Sequence, residues 1–288
     1  MKKSGSLTVV GTGIQTGQLT LAARNAIEEA DKVLYFVTGP TAKSDLQSLN
    51  PTAESLAQYY VDGKERFVTY MEMVGRILGE VKRGLHVCAA FYGHPGVFVI
   101  PAHEAIRQAR EAGIPAKMLP GISAEDCLFA DLGIDPALPG CQSFEATDFL
   151  IHRRQFDVTA SLILWQIGAI GVQTCEIKDY APRNLDVLAE YLSGFYGPNH
   201  RAVIYEASLY PDSEWRAEVT ALSALPDARV SRSSTLYVAP KDIPRPMDTE
   251  MVRRLGMDEE AVDSLEAKLH MKLRSIHTVT TARQPRSG

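Results

Sequence analysis

Short aliphatic and β-branched runs alternate with longer amphipathic ones along this chain, and that rhythm limits the folds open to it. SLTVV, KVLYFV, LHVCAAFYG, AKMLPG, LILWQIG, RAVIYEA and STLYVAP read as strands. LTLAARNAIEEA, MEMVGRILGEVKRG, PAHEAIRQAREAG and SAEDCLFADLG carry helical spacing, and three of these four stop at a glycine, the residue that takes the left-handed helix-ending conformation at least cost. The alternation predicts an α/β protein with helices over mainly parallel strands. In MEMVGRILGEVKRG, Met73, Val74, Ile77, Leu78 and Val81 share one face, Glu72, Arg76, Glu80 and Lys82 fall on others, and Gly84 supplies the stop.

At 288 residues the chain has room for two moderate domains and a tail. It turns from strand to helix near Pro120–Ala124 and then enters the Pro/Gly-rich GIDPALPG, which predicts domains over 1–122 and 123–240. Prolines 240, 244 and 246 end the sheet pattern. Residues 241–288 are expected to form a helical extension with Met251, Val252, Leu255, Val262, Leu265 and Leu269 as its apolar stripe, and a mobile tail, HTVTTARQPRSG.

A net charge of −5 offers no broad basic face, so a nucleic-acid partner is not expected. No apolar run approaches the length that crosses a bilayer, and the amino terminus lacks a signal-like core, so a soluble cytoplasmic protein is the expectation. Cys88, Cys127, Cys141 and Cys175 form no C-x-x-C pair, which suits reduced thiols and no metal site.

Several strand ends carry polar or glycine-rich motifs. VVGTGIQTG falls short of the dinucleotide fingerprint because Thr16 stands where a glycine is needed, so Gly11 and Gly13 serve either a tight turn or a close approach to a ligand. FYGHPGVFV ends a strand in Tyr92-Gly93-His94-Pro95-Gly96, at the edge where ligands of open α/β sheets lie; a plain Pro-Gly turn is its simpler reading. In LPGISAEDCLFADLG, Ser123 is a candidate helix cap, while Asp126 and Asp131 read as helix-surface charges. Gln166, Tyr205 and Glu206 close two later strands and Ser234-Thr235 open another, together enough to line one pocket. The stretch YYVDGKERFVTY, residues 59–70, gathers three tyrosines and Arg66 around an Asp-Gly turn.

Taken together, VGTG, the Gly-His-Pro-Gly turn, PGISA at a helix start and the late STL strand resemble the tetrapyrrole methylase class of S-adenosylmethionine-dependent methyltransferases over residues 6–240. That resemblance implies two α/β domains holding the methyl donor in the cleft between them, in a homodimer. GSLTVVGTGIQ, QYYVDGKERFVTY, FYGHPGVFV, MLPGISAEDCLFADLGIDP and SFEATDFL are similar, more narrowly, to the borosin α-N-methyltransferases, which methylate backbone amides of a ribosomally made precursor peptide. Carried over residue by residue, the donor positions are Tyr92, His94, Val97, Phe98, Ser123, Ala124, Gln166, Tyr205, Ala207, Ser234 and Thr235, and the catalytic set is Tyr60, Arg66 and Tyr70. Some fungal members carry a further tyrosine where this chain has Ala57, which leaves Tyr59 without an assigned role.

Amide chemistry accounts for that catalytic set. A peptide nitrogen is a poor nucleophile because its lone pair is delocalised into the carbonyl, so methylation requires removal of the N–H proton and leaves charge on oxygen. Arg66 and Tyr70, four residues apart, share a face if one helix holds both. The guanidinium is then expected to lower the Tyr70 phenol from its ordinary value of about 10 and to stabilise the imidate oxygen. Tyr70 takes the proton and Tyr60 orients the carbonyl.

Fused borosin enzymes continue through a helical clasp into their own substrate. Residues 241–288 are few for that extension, and the tail is polar and basic where the family's cores are apolar, so a separate precursor chain with its own helical leader is expected. The opposing reading makes residues 276–288 the substrate. Two further readings share the pocket motifs, a small-molecule methyltransferase of tetrapyrrole type and a non-catalytic peptide-binding relative.

Overall fold

The computed structural model describes residues 5–38, 40–176, 181–243 and 247–281. Two units emerge from the chain: residues 1–127 with 173–180 and 207–214, and residues 128–172 with 181–206 and 215–288.

In the first unit, β1 (Ser6–Gly11), β2 (Lys32–Phe36), β3 (Glu54–Ser55), β4 (His86–Phe91) and β5 (Ala116–Met118) form a wholly parallel sheet in the order β3-β2-β4-β1-β5. Period-two alternation gives that sheet two cores. Leu7, Val9, Val87, Ala89 and Phe91 meet α3 (Arg66–Lys82) and α4 (Ile100–Glu111), while Val10, Val33, Cys88 and Ala90 meet α1 (Leu21–Glu28) and α2 (Pro40–Leu49).

Helix α3 buries Met73, Val74, Ile77, Leu78 and Val81, and Gly84 follows it at φ +90°, as the spacing predicts. It begins earlier than the apolar pattern does and so includes both Arg66 and Tyr70. Glu80, read from the spacing as lying off the apolar face, is buried as well. Its carboxylate accepts from Arg76 Nη1 at 2.5 Å and Arg83 Nη1 at 2.9 Å, and the Arg76 hydrogen bond holds it below its ordinary value. A charge can be buried when it is paired in this way.

The parallel strands expected predominate in the chain, but the second unit departs from them. Its sheet runs β6 (Cys141–Glu145), β7 (Ser161–Trp165), β10 (Thr235–Val238), β8 (Arg201–Glu206), β9 (Arg216–Ala221), and only the β6–β7 pairing is parallel. Parallel neighbours need a crossover of about a dozen residues or more, and residues 207–215 between β8 and β9 contain no helix. One face of this sheet, with Leu162, Leu164, Ala202, Ile204, Leu236 and Val238, packs on α6 (Ala146–Ile151) and α7 (Leu185–Tyr196). Helix α5 (Ala124–Leu132) precedes it.

The expected extension is two helices, α8 (Thr249–Arg254) and α9 (Glu259–Thr281), parted at Gly256, which takes φ +66°. Met251, Leu255 and Leu265 of its stripe are exposed, and Val252, Val262 and Leu269 are half-buried. Residues 277–281 belong to α9 rather than to a mobile tail; residues 282–288 of the candidate built-in substrate lie outside the described residues. No helix of the described residues is long and apolar enough to cross a membrane.

Glycine packing fixes the carboxyl edge of the first sheet. A Cβ on Gly11 would lie 2.2 Å from the Gly93 carbonyl oxygen and 2.7 Å from Pro95 Cδ, whereas one on Gly79 of α3 would meet nothing within 4 Å. Gly11→Ala is therefore expected to cost about 1–3 kcal/mol through overpacking, and Gly79→Ala to add about 0.5–1 kcal/mol by favouring the helix. Urea unfolding midpoints at constant m-value measure both.

Candidate active site

Adjacent strands β1 and β4 send their connections to opposite faces of the first sheet, β1 into α1 and β4 into α4. Such a reversal opens a crevice at the carboxyl ends of the strands. Thr12, Ile14, Gln15, Thr38, Thr41 and Tyr92 line it. Protein contacts hold the β1 loop, whose Gly13 also lines the crevice. Gly13, at φ +76°, packs so close to Gln18 that a Cβ would lie 2.4 Å from Gln18 Cβ, and Gln18 Oε1 accepts from Ile14 N at 2.7 Å and Gln15 N at 3.2 Å.

The loops after β1, β4 and β5 converge. A Cβ on Gly121 would come within 3.0 Å of the Gly93 carbonyl oxygen and 3.1 Å of Gly11 Cα, so residues 92–98 and 121–124 adjoin. Gly96 N donates to His94 Nδ1 at 2.9 Å and Val97 N to the His94 carbonyl at 3.1 Å, closing the turn that the Pro-Gly pair predicts. Phe98 follows at φ +57°, a conformation that costs a bulky residue about 1–3 kcal/mol and collects at functional sites. Its ring and the Val97 side chain are both exposed. Ser123 Oγ accepts from Asp126 N at 3.2 Å, and Asp126 Oδ2 accepts from Ser123 N and Oγ, each at 2.7 Å. This reciprocal cap starts α5 at Ala124, so Asp126 has a structural task beyond being a surface charge. Burial raises the Tyr92 phenol to about 12, Cys127 adds to the rise, and a hydrogen bond from Thr38 opposes it.

Ala207, half-buried, belongs to the first unit; Gln166, Tyr205, Ser234 and Thr235 belong to the second. Gln166 ends β7 at φ +58°, a second left-handed non-glycine residue within the expected donor set. Tyr205 and Thr235 face each other in the β8–β10 register. The Tyr205 hydroxyl donates to Asp131 Oδ2 at 2.6 Å, so Asp131 orients this phenol, a role the sequence reading had not given it. Glu206 Oε1 accepts from Ser234 Oγ, from Ser231 Oγ at 2.8 Å and from Arg216 Nη1 at 3.1 Å. Burial works to raise this carboxyl, but the serine hydroxyls and Arg216 together leave it below its ordinary value.

The expected catalytic residues stand together in the first unit. Arg66 opens α3 and Tyr70 lies one turn on; Tyr60 follows a 3-10 turn over Ala57–Tyr59 in which Ala57 is exposed. The Tyr60 ring stacks on Phe36, with centroids 5.5 Å apart, and the Phe36 carbonyl accepts from Tyr92 N at 3.2 Å. One residue at the end of β2 therefore joins the tyrosine–arginine group to the loop after β4. A strap distant in sequence fixes the group from the other side: Gln173 O accepts from Arg66 N at 3.0 Å, Thr174 O accepts from Arg66 Nε at 3.1 Å, and Cys175 exchanges two 2.7 Å backbone bonds with Gly63 and Lys64.

Arg66 opposes the rise of both phenols, as expected, but burial outweighs it. Burial first and then Cys175 push Tyr60 up to about 12, and burial likewise raises Tyr70. The expectation of a net lowering at Tyr70 is corrected, because a guanidinium acting from a half-open site does not recover what desolvation removes. The sequence reading gave Phe36 only a place in a strand, Cys175 only that of a reduced thiol and Thr174 none, and neither periodicity nor spacing ties them to this group.

A family model described as Tetrapyrrole (Corrin/Porphyrin) Methylases matches residues 6–222. The chain is 45% identical over 261 residues to a methyltransferase/ribosomally synthesized cyclic peptide gymnopeptides precursor of Gymnopus fusipes, covering 89% of this chain and 62% of that protein. It is 42% identical over 266 residues to a methyltransferase/type I borosin cyclic peptide precursor of Serendipita vermifera subsp. bescii, covering 90% and 64%. The chain thus spans a little under two thirds of these relatives' length. Among solved structures, uroporphyrin-III C-methyltransferase of Thermus thermophilus complexed with S-adenosyl homocysteine aligns at TM-score 0.57 and 19% identity over 81% of this chain and 97% of that one, which shows a shared fold. Because the family model covers well over half of its residues, the chain belongs to the tetrapyrrole (corrin/porphyrin) methylases.

Proposed function

We propose that this chain methylates backbone amide nitrogens of a ribosomally made peptide with S-adenosylmethionine as donor. The observation that carries the proposal is the Phe36 junction, where the Tyr60 ring stacks on the residue whose carbonyl accepts from Tyr92 N. The names of the fungal relatives, joining methyltransferase and peptide precursor, support the peptide.

Around the donor loop the residues fit such a ligand. The exposed Val97 and strained, exposed Phe98 offer apolar surface, and Tyr92, His94, Ser123 and Ala124 supply polar side chains and a helix start. Gln166, Tyr205, Ala207, Ser234 and Thr235 complete the proposed donor set. S-adenosylmethionine supplies a methyl group on a sulfonium. Tyr70, whose hydroxyl makes no hydrogen bond among the described residues, accepts the amide proton at its phenolate oxygen. Arg66 has no carboxylate partner among the described residues, so its charge is free to stabilise that phenolate and the imidate oxygen. Tyr60 orients the substrate carbonyl. The half-exposed stripe on α8 and α9 is proposed to receive a second copy of the chain or the precursor's helical leader.

Arg66→Ala is expected to lower kcat by about 100-fold or more, the scale of one lost charge-stabilising donor, with KM for the peptide little changed. Only the phenolate form of Tyr70 can accept the proton, and burial raises its pKa. Methyl transfer should therefore climb about tenfold per pH unit between about pH 7 and 9 and lose that slope in Tyr70→Phe. A pH-independent wild-type rate would remove Tyr70 as the base.

The source of the amide is read by intact-mass analysis with S-adenosylmethionine, the protein alone or with an added precursor peptide. Our reading is a separate precursor, so the added peptide should gain methylene-sized increments while the protein does not. Increments on the protein itself would place the substrate in the same polypeptide. A tetrapyrrole methylated in place of either would favour small-molecule chemistry, and donor binding without transfer a non-catalytic relative.

A further inference from the structure

Both backbone polar groups of Gly96 are held by imidazoles. Gly96 N donates to His94 Nδ1 at 2.9 Å, and the Gly96 carbonyl accepts from His103 Nε2, also at 2.9 Å. These two bonds assign the ring protons. A backbone N–H can only donate, so His94 Nδ1 presents its lone pair and that ring is neutral, with its proton on Nε2. A carbonyl can only accept, so His103 Nε2 carries a proton.

The two histidines differ in what they can restrain. His94 belongs to the turn, and its bonds to Gly96 N and Val97 N would travel with the turn if it moved. His103 stands in the first turn of α4, between Ala102 and Ala105 that pack fully buried against the first sheet, and reaches back seven residues to Gly96. It therefore ties the turn to a rigid element. The turn has need of a tie, because Phe98 holds a left-handed conformation, and such a conformation persists in a bulky residue only where its surroundings over-determine it. Gly96 is also pressed from the side: a Cβ there would lie 3.1 Å from His94 Cε1 and 3.1 Å from Met118 Sδ.

The geometry points to His103 as a positioning residue for the methyl donor, which holds the Gly96 carbonyl so that Val97 and Phe98 are presented in one conformation. The inference rests on the donor set proposed above, of which His103 is not a member. A loop that spends only part of its time in the binding form weakens binding by that fraction, and one lost neutral hydrogen bond shifts such a balance about fivefold. A packing role and a positioning role respond oppositely to substitution. If His103 only covers the turn, His103→Phe, which keeps a ring, should serve better than His103→Gln. If the bond to Gly96 matters, glutamine, whose Nε2 amide still donates, should serve better than phenylalanine. The His103 ring is exposed, so either change leaves the core untouched.

The test uses full-length protein with 15N-labelled histidine at alkaline pH, the His94 ring signals being assigned by their loss in His94→Gln. Long-range 15N–1H spectra of wild type should show the proton of His94 on Nε2. The His94 Nδ1 resonance is expected to move in His103→Phe, as the bond from Gly96 N loosens, and to return toward its wild-type position in His103→Gln. Titration calorimetry with S-adenosylhomocysteine should show affinity about fivefold weaker in the phenylalanine variant and within about twofold of wild type in the glutamine variant. An unmoved His94 Nδ1 resonance in His103→Phe, an unchanged affinity in that variant, or equal losses in both variants overturns the proposal. If wild-type protein does not bind S-adenosylhomocysteine, the donor-site reading fails, and the nitrogen resonance still decides whether His103 holds the turn.

Discussion

The Gly93 carbonyl oxygen occupies the space that a side chain on residue 11 would need, and the carboxyl edge of the first sheet is built around that contact. Because β1 and β4 are neighbours whose connections leave in opposite directions, their ends would otherwise splay. Two side-chain-free positions, Gly11 and Gly121, let the backbones close to van der Waals distance instead, while Gly93 takes φ +72°. The turn after Gly93 is then short of room: Gly96 folds back onto His94 Nδ1, and Phe98 is left outward in a left-handed conformation. Strain and exposed apolar surface at Phe98 thus lie on a turn packed against the adjacent strand.

Periodicity made much of this fold readable before any coordinates. The seven predicted strands are present, and the face of α3 bearing Met73, Val74, Ile77, Leu78 and Val81 is the buried one. Helix α2, PTAKSDLQSL, has no apolar repeat to read, with Leu46 its one buried large hydrophobic residue among those described. Helix α7 did carry a repeat, in Leu185, Leu188, Ala189, Leu192 and Tyr196, and could have been found by the same spacing rule. Strand β6 is CQSFE, with none of its residues fully buried, and no apolar run announces it. Antiparallel pairing in the second sheet was illegible for another reason, because direction is set by the connections and not by strand composition.

The site divides along a similar line. Arg66 and Tyr70 are four residues apart, so their shared face follows from the helix, and Ser123 with Asp126 is a cap visible at its three-residue spacing. Thr174 and Cys175 reach the same group from more than a hundred residues away. Asp131 looked like a surface charge on a short helix and proved to be the acceptor for Tyr205. Pattern reading finds what one element presents; partners supplied by another element carry no local signal.

How Arg66 is held bears on what the phenols can do. A carboxylate partner would have fixed the guanidinium firmly, but its negative charge would also have cancelled much of the field at Tyr60 and Tyr70. Here the restraint is the neutral carbonyl of Thr174, which takes one N–H and leaves the net charge intact. Burial still wins over that charge at both tyrosines, so each rests as a phenol. A phenol with a raised pKa is scarce as phenolate but strong as a base once formed, which is what the proposed removal of an amide proton would require. The unneutralised guanidinium keeps the scarcity within bounds, and the Thr174 carbonyl is what allows it to remain unneutralised.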